Sequence, residues 1–265
     1  IGGGGHTAAI LEKLGTGGKL FGFDKDPLAV EHCKARLKEE IQKGRLRLFN
    51  ESYEKVCSIE ELKGEATGIL VDLGVSSRQF DDPSAGFTFR RDAPLDMRFK
   101  PEGPTAADFL HAAAQEEIKT VLKKFGEEPK AGLIARRIVT SRRAAPLIST
   151  FRLKALVEEC VPPPVRAKTL ARVFQALRIH VNKELAALEN FLSCAPDLLA
   201  PGGRIAALTY HSLEDRIVKQ FFKKLSTPQE LDPVTHAPLI EPEFKILTKK
   251  PLLPSEKETE ENPRA

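Results

Sequence analysis

The chain has 265 residues, 41% hydrophobic and 29% charged, enough for one large domain or two small ones with a real core. No apolar run approaches the roughly 20 residues of a membrane span, so no membrane partner is expected, and no secretory leader is visible. Cys33, Cys57, Cys160 and Cys194 form no CxxC pair; they predict reduced, mostly buried thiols of a cytosolic protein, not a zinc site or disulfide frame. The net charge is +4, yet residues 105–181 hold 14 Lys/Arg against 7 Asp/Glu. A basic middle on a slightly acidic body is either a polyanion docking face or an ordinary solvated helix surface.

Four glycines, Gly2 to Gly5, open the chain and lead into a helical stretch over 6–14. Glycine lets the backbone turn sharply and approach a ligand, and the amides of a helix start favour negative groups. A flexible linker has the same composition. Such loops follow an apolar strand, which is expected before Ile1. Residues 19–24 predict a short strand ending in Asp24, and Pro27 starts a helix over 28–41. Further strands are expected over 45–49 and 69–72, the latter ending in Asp72, with a helix over 52–62 between them. Strands alternating with helices predict an α/β fold of parallel βαβ units, with ligands at the carboxyl ends of the strands. Gly2 to Gly5, Asp24 and Asp72 would all lie there.

Residues 78–104 have little periodicity, but Phe80, Phe87 and Phe89 argue against disorder. Helices are expected over 106–114, 116–124, 133–142, 153–160 and 170–179, with no strand between them. Asn182 suits a helix cap, Leu185, Leu188 and Leu192 give a helical stripe, and Pro201-Gly-Gly203 stops it. A strand over 204–210 resumes the α/β pattern, a helix opens near Ser212 and runs through Phe222, and 243–248 reads as a last strand. The tail from Pro251 reads as an extended polar segment. The predicted organisation is 1–104 and 182–265 as two parts of one α/β domain, with 105–181 as an all-helical insertion.

Two cofactors use a glycine loop after a first strand and an acid after the second. A dinucleotide requires a third glycine inside the helix; His6-Thr-Ala-Ala9 offers none, which favours S-adenosylmethionine. Each acid has a structural alternative: Asp24 and Asp26 as caps of the next helix, Asp72 as a turn former. His6 suits a loop hydrogen bond better than a general base. His211 and Ser212 lack the G-x-S-x-G elbow of a hydrolase, and Ser212 suits a helix cap.

Several stretches, in order, carry a resemblance: Gly3-Gly-Gly-His-Thr7, Asp72-Leu-Gly-Val-Ser-Ser77, Gly86-Phe-Thr-Phe89, Pro94-Leu-Asp-Met-Arg98, Phe174-Gln-Ala-Leu-Arg-Ile179, His211-Ser-Leu-Glu-Asp-Arg216, Leu247-Thr-Lys-Lys-Pro251 and Asn262-Pro-Arg264. Together they resemble the MraW-type ribosomal RNA small-subunit methyltransferases, over essentially the whole chain. The resemblance implies a class I, Rossmann-like S-adenosylmethionine methyltransferase domain interrupted by a helical RNA-recognition domain. It implies methyl transfer to N4 of a cytidine in the decoding centre of 16S rRNA, within the small ribosomal subunit. By motif, Gly4, Gly5 and His6 match the family's glycine-loop contacts, Asp24 its ribose acid, Asp72 and Gln79 its contacts after the fourth strand. Tyr53 stands where the family has an aromatic beside the adenine, within a loosely fitting stretch.

The family often carries His-Pro-Ala-Thr-Arg where this chain has Lys168-Thr-Leu-Ala-Arg172, so only Arg172 is retained. A basic run commonly follows the family's Asn-Pro-Arg. Asp72 or a nearby backbone carbonyl is the candidate acceptor for the target amine, with Asp96, Tyr210, His211 and Ser212 as further base contacts. Arg136, Arg137, Arg142 and Arg143 are candidate phosphate contacts. No metal is required, because a sulfonium methyl is already activated. A homodimer is compatible with the sequence, which does not fix the oligomeric state. Rival readings are a methyltransferase acting on protein or a small molecule, a non-catalytic RNA-binding assembly factor and a nicotinamide dehydrogenase.

Overall fold

In the computed structural model, residues 1–76, 79, 82, 85–230, 232–235 and 237–261 are described. The chain is mixed α/β, and its first part alternates as the pattern predicts. α1 (Gly5–Lys13) follows the glycines, and β1 (Leu20–Phe23) runs parallel to β2 (Leu46–Phe49), with Phe23 opposite Phe49. Between them α2 (Pro27–Arg36) starts on a proline, where no amide is missed, and Asp26 Oδ1 accepts the Leu28 amide at 2.8 Å. The single helix expected over 28–41 breaks at Leu37, whose φ of −113° and ψ of 30° are not helical, and resumes as α3 (Lys38–Gln42).

β3 (Ala66–Asp72) pairs in parallel with β4 (Leu199–Leu208), which comes from far along the chain and sets Leu208 opposite Asp72. Among the described residues the strands form two separate parallel pairs, so β1 and β3 each bond a neighbour on one edge only.

The core lies in the helical stretch. α4 (Ala106–Ala112) opens on a capping box of Thr105 and Asp108. α5 (Gln115–Gly126), α6 (Ala131–Ala144), α7 (Thr150–Glu159) and α8 (Arg166–Asn182) follow. Their apolar residues recur at helical spacing, so Ile118 and Leu122, Ile134 and Ile138, and Leu177 are fully buried in one cluster. α5 and α8 come together at Gly126, where a Cβ would stand 2.6 Å from the Arg172 carbonyl oxygen.

The segment after residue 85 joins this cluster through buried Leu95 and Met97. Phe87 packs on Phe99, and Phe89 stands edge-on to Phe174. Phe80, Ser77 and Arg78 lie outside the described residues, as do residues 262–264.

Several local expectations are corrected. The helix expected over 52–62 is two 3-10 turns, Tyr53–Ser58 and Glu60–Leu62, because Ile59 between them is extended. Asn182 is not an N-cap. It ends α8, donates from Nδ2 to the Met97 carbonyl at 2.7 Å and accepts the Phe99 amide at 2.8 Å. Lys183, with φ 53°, makes the turn into α9 (Glu184–Leu198), which ends ahead of Pro201. Pro201, Gly202 and Gly203 belong to β4, whose register against β3 shifts between Ala66 and Gly68. α10 (Ser212–Ser226) forms as expected. The strand expected over 243–248 does not form, and the polar tail carries a short helix, α11 (Glu256–Glu261).

The reading of four reduced cysteines is also corrected. Cys57 and Cys194 are joined by a disulfide, with Cα atoms 5.8 Å apart. The first 3-10 turn lies against α9: Tyr53 stands edge-on to Phe191, and Asn190 Nδ2 donates to Glu54 Oε2 at 2.8 Å. That packing brings together two sulfurs whose separation in sequence gives no local sign of it. Cys33 and Cys160 are free, and burial pushes both thiols up.

The chain divides into two compact units, Ile1–Glu214 and Asp215–Ala265. Among the described residues, no helix is long and apolar enough to cross a membrane, and no cluster of His, Cys, Asp and Glu is arranged to hold a metal.

Candidate active site

The glycine run is a built turn. Gly4 has φ 77° and caps α1 in the left-handed region, where a side chain is strained and would press on Cys33 Sγ at 3.2 Å. Asp24, just past β1, holds this turn: its Oδ2 accepts the Gly2 amide at 2.9 Å and its Oδ1 the Asp26 amide at 2.9 Å. From α2, Arg36 Nη1 donates to the Gly3 carbonyl at 2.9 Å. So Asp24 is a clamp between two loops, and the cap of α2 is Asp26.

The loop after β3 closes on the same place. Gln79 Oε1 accepts the Ser76 amide at 3.0 Å, and Gln79 Nε2 donates to Asp26 Oδ2 at 3.2 Å. A Cβ on Gly2 would lie 3.6 Å from Ser76 Cβ. The ends of β1 and β3 are therefore tied through Gln79 and Asp26, a bridge that the sequence reading missed by treating Asp26 as a cap alone.

Asp72, at the end of β3, is the centre of a three-residue constellation. His6 Nδ1 lies 3.3 Å from its Oδ2, and the Tyr210 hydroxyl donates to its Oδ1 at 2.9 Å. The parallel register of β3 and β4 brings these ends together. Loss of solvent, then the adjacent Asp72 carboxylate, push the Tyr210 phenol up to about 12, so it remains a donor at neutral pH. Tyr210 is nonetheless 58% exposed, its ring edge 3.6 Å from where a Cβ on Gly74 would sit. The result is an accessible aromatic beside a carboxylate.

Behind the trio lies a buried polar layer that the sequence reading did not assemble. Glu214, 2% exposed, accepts the Tyr210 amide at 2.9 Å, with His211 Nε2 3.3 Å from its other oxygen. His211 Nδ1 accepts the Glu214 amide at 3.4 Å. Arg178 Nε donates to Glu184 at 2.9 Å, and burial raises the Glu184 carboxyl despite that partner. Arg178 Nη2 and His211 Nε2 are buried without a hydrogen-bond partner. Tyr53 sits half-buried nearby, its phenol pushed up by burial and then by the Glu184, Glu214 and Glu54 charges.

The remaining candidates scatter. Ser212 donates to Glu127 at 2.8 Å, so its hydroxyl is spent on the turn after α5. Asp96 is held by Arg98 Nε at 2.7 Å and Nη2 at 2.8 Å. Arg137 pairs with Glu159, and Arg172 faces buried Glu128 at 3.8 Å. Arg142 donates to the Leu110 carbonyl and, at 2.7 Å, to that of Ala113, closing the end of α4. Arg136 and Arg143 are exposed.

Comparison with known proteins places the chain beside a described family and a named relative. The family model described as the MraW methylase family matches residues 1–265. The ribosomal RNA small subunit methyltransferase H of Heliobacterium mobile is 44% identical over 276 residues, spanning 100% of this chain and 87% of that protein.

Proposed function

The chain belongs to the MraW methylase family, and on that premise we propose that it methylates N4 of a cytidine in the decoding centre of 16S rRNA, with S-adenosylmethionine as donor, in the cytoplasm. The carrying observation is the His6–Asp72–Tyr210 constellation beside a glycine turn clamped by Asp24. The name of the Heliobacterium mobile relative supports a small-subunit rRNA substrate.

The residues fit the proposed cofactor. A Cβ added at Gly3 or Gly5 would meet nothing within 4 Å, so the turn presents bare backbone to open space. Asp24 accepts one amide on each oxygen, and a carboxylate has further acceptor sites for the hydroxyls of a ribose. Gly4, Gly5, Asp24, Gln79 and Tyr53 would hold it. When bound, S-adenosylmethionine supplies a methyl group activated by a sulfonium, so the chemical burden falls on the nucleophile.

A cytosine amine gives its lone pair to the ring and attacks poorly. Asp72 can accept a hydrogen bond from that amine, drawing the nitrogen toward tetrahedral geometry as positive charge develops. The Tyr210 hydroxyl fixes one Asp72 oxygen and leaves the other toward His6. The proton leaving the amine then has an acceptor in Asp72 and a second in the His6 imidazole. The target base must leave its stack to reach this place, and exposed Arg136 and Arg143 offer phosphate contacts. The domain reading, a Rossmann-like domain interrupted at 105–181, is part of this proposal.

The test is incubation of the protein with labelled S-adenosylmethionine and unmethylated small ribosomal subunits, followed by nucleoside analysis. N4-methylcytidine at one site is the expected product. Cofactor binding with no labelled nucleoside, in subunits or free RNA, would overturn the RNA substrate. An Asp72→Asn protein that binds cofactor yet methylates at the normal rate would remove Asp72 from the chemistry; the expected loss is about 100-fold or more.

A further inference from the structure

Several arginines of unit Ile1–Glu214 are committed within the protein. Arg98, Arg137, Arg142, Arg172 and Arg178 each meet a carboxylate or a helix-end carbonyl. Three other arginines gather with a lysine at a place the motifs did not indicate. Residues 88–94 and 148–154 carry Arg90, Arg91, Arg152 and Lys154 against a single acid, Asp92.

These two stretches form one rigid edge. Buried Thr150 donates from Oγ1 to the Arg91 carbonyl at 2.8 Å, and the same oxygen accepts the Ala93 amide at 3.1 Å. The Thr150 amide returns to the Ala93 carbonyl at 2.9 Å, and the Leu95 amide donates to the Ile148 carbonyl at 2.9 Å. Asp92 is spent locally: its Oδ1 accepts the Phe151 and Ala93 amides at 3.1 Å each. Among the described residues, no carboxylate pairs with Arg90, Arg91 or Arg152, and all three are exposed.

Two apolar side chains stand among these cations, Phe151 at 41% exposure and Ile148 at 60%. Lys154 Nζ lies 5.2 Å from the Phe151 ring centroid. An ordinary solvated surface mixes its signs and turns few rings outward. Cations on a hydrogen-bonded backbone beside an exposed ring fit a nucleic-acid strand, which offers phosphates and flat bases together.

We propose that this edge is a second RNA-binding surface, in which Arg90, Arg91 and Arg152 take phosphates and Phe151 stacks an unpaired base of single-stranded RNA. The inference rests on the proposed rRNA substrate and adds to it a docking place outside the His6–Asp72–Tyr210 site. Single-stranded RNA is favoured over a duplex because a paired base offers no free face to Phe151.

The test uses the full chain with Arg90→Ala/Arg91→Ala and, separately, Phe151→Leu. Binding of a fluorescent single-stranded RNA is followed by anisotropy over a salt series, beside cofactor affinity and subunit methylation. Loss of two phosphate contacts on a single strand is expected to lower the salt slope by about 1.4 and the affinity by about tenfold at low salt. Phe151→Leu is expected to weaken binding by about fivefold to a hundredfold with the slope unchanged. Cofactor affinity is expected to stay at the wild-type value in both, which also reports that they fold.

Wild-type RNA affinity and salt slope in the double variant would overturn the surface, and a normal Phe151→Leu affinity would overturn its stacking part. Subunit methylation by the wild type separates the two ideas: if it occurs while the variants bind as wild type, only the surface fails. If the wild type binds RNA but labels none, the substrate proposal fails first.

Discussion

The Cys57–Cys194 disulfide makes a quantitative prediction. It closes a loop with a sequence separation of 137 residues and ties the 3-10 turn that carries Tyr53 to α9. Chain entropy for a loop of that length gives about 5 kcal/mol of stabilisation, and native disulfides measured by removal cost about 2–5 kcal/mol. For a chain of this size, each kcal/mol moves Tm by about 2–4 °C, so the reduced protein should melt about 10 °C lower.

The assay is denaturant and thermal unfolding of the wild type with and without reductant, against Cys57→Ser. Reduction is expected to lower the midpoint of the wild type and to leave Cys57→Ser unmoved. Thiol counting in unfolded, unreduced protein should find two reactive groups, Cys33 and Cys160. Four reactive thiols, or equal midpoints in the two wild-type states, would refute the reasoning.

The chain has two tyrosines and no tryptophan, so phenolate absorbance reads Tyr53 and Tyr210 alone. In a Tyr53→Phe protein followed by rapid pH jump, Tyr210 is expected to ionise near pH 12; a transition at the ordinary pH 10 would remove its bond to Asp72. Because its folded pKa is raised above the unfolded value, its contribution to stability is present below pH 10 and is lost as pH rises through about 12. Gly126→Ala gains about 1 kcal/mol of helix propensity but drives a Cβ against the Arg172 carbonyl. Overpacking at that contact should leave the variant about 1–3 kcal/mol less stable by denaturant unfolding. Arg142→Ala should lower stability by about 1–3 kcal/mol, because the Leu110 and Ala113 carbonyls lose a charged donor. The same variant should leave RNA affinity near wild type, whereas Arg136→Ala should weaken it, as anisotropy would report.

Features written locally were legible in the sequence. Asp26 before Pro27 and the periodic apolar residues of α5, α6 and α8 each carry their own signal, and a helix forms at each. Asn182 shows where local reading stops. Its chemistry suits a cap, but Met97 and Phe99 compete for the same amide and win. The disulfide was illegible for a related reason: only the packing of Tyr53 on Phe191 brings its halves together. In the candidate site, His6, Asp72 and Tyr210 were each visible as separate polar residues near strand ends. Their union depends on the register of β3 with β4, a pairing between segments more than a hundred residues apart. The buried Glu214 layer left no trace, since an acid beside a helix start reads as a capping residue until its burial is known.

Asn182 also joins distant parts of the molecule. Its side chain grips the 97–99 backbone, while its carbonyl receives Lys25 Nζ at 3.3 Å, next to Asp24. Lys25 is half-buried, and that loss of solvent lowers its ammonium. A ligand that shifted the turn at Asp24 would bear on the Lys25 bond to the end of α8, and one that shifted the 97–99 segment would bear on it from the other side. Two binding events sharing such a strut obey reciprocity: whatever factor one contributes to the other's affinity is returned in equal measure.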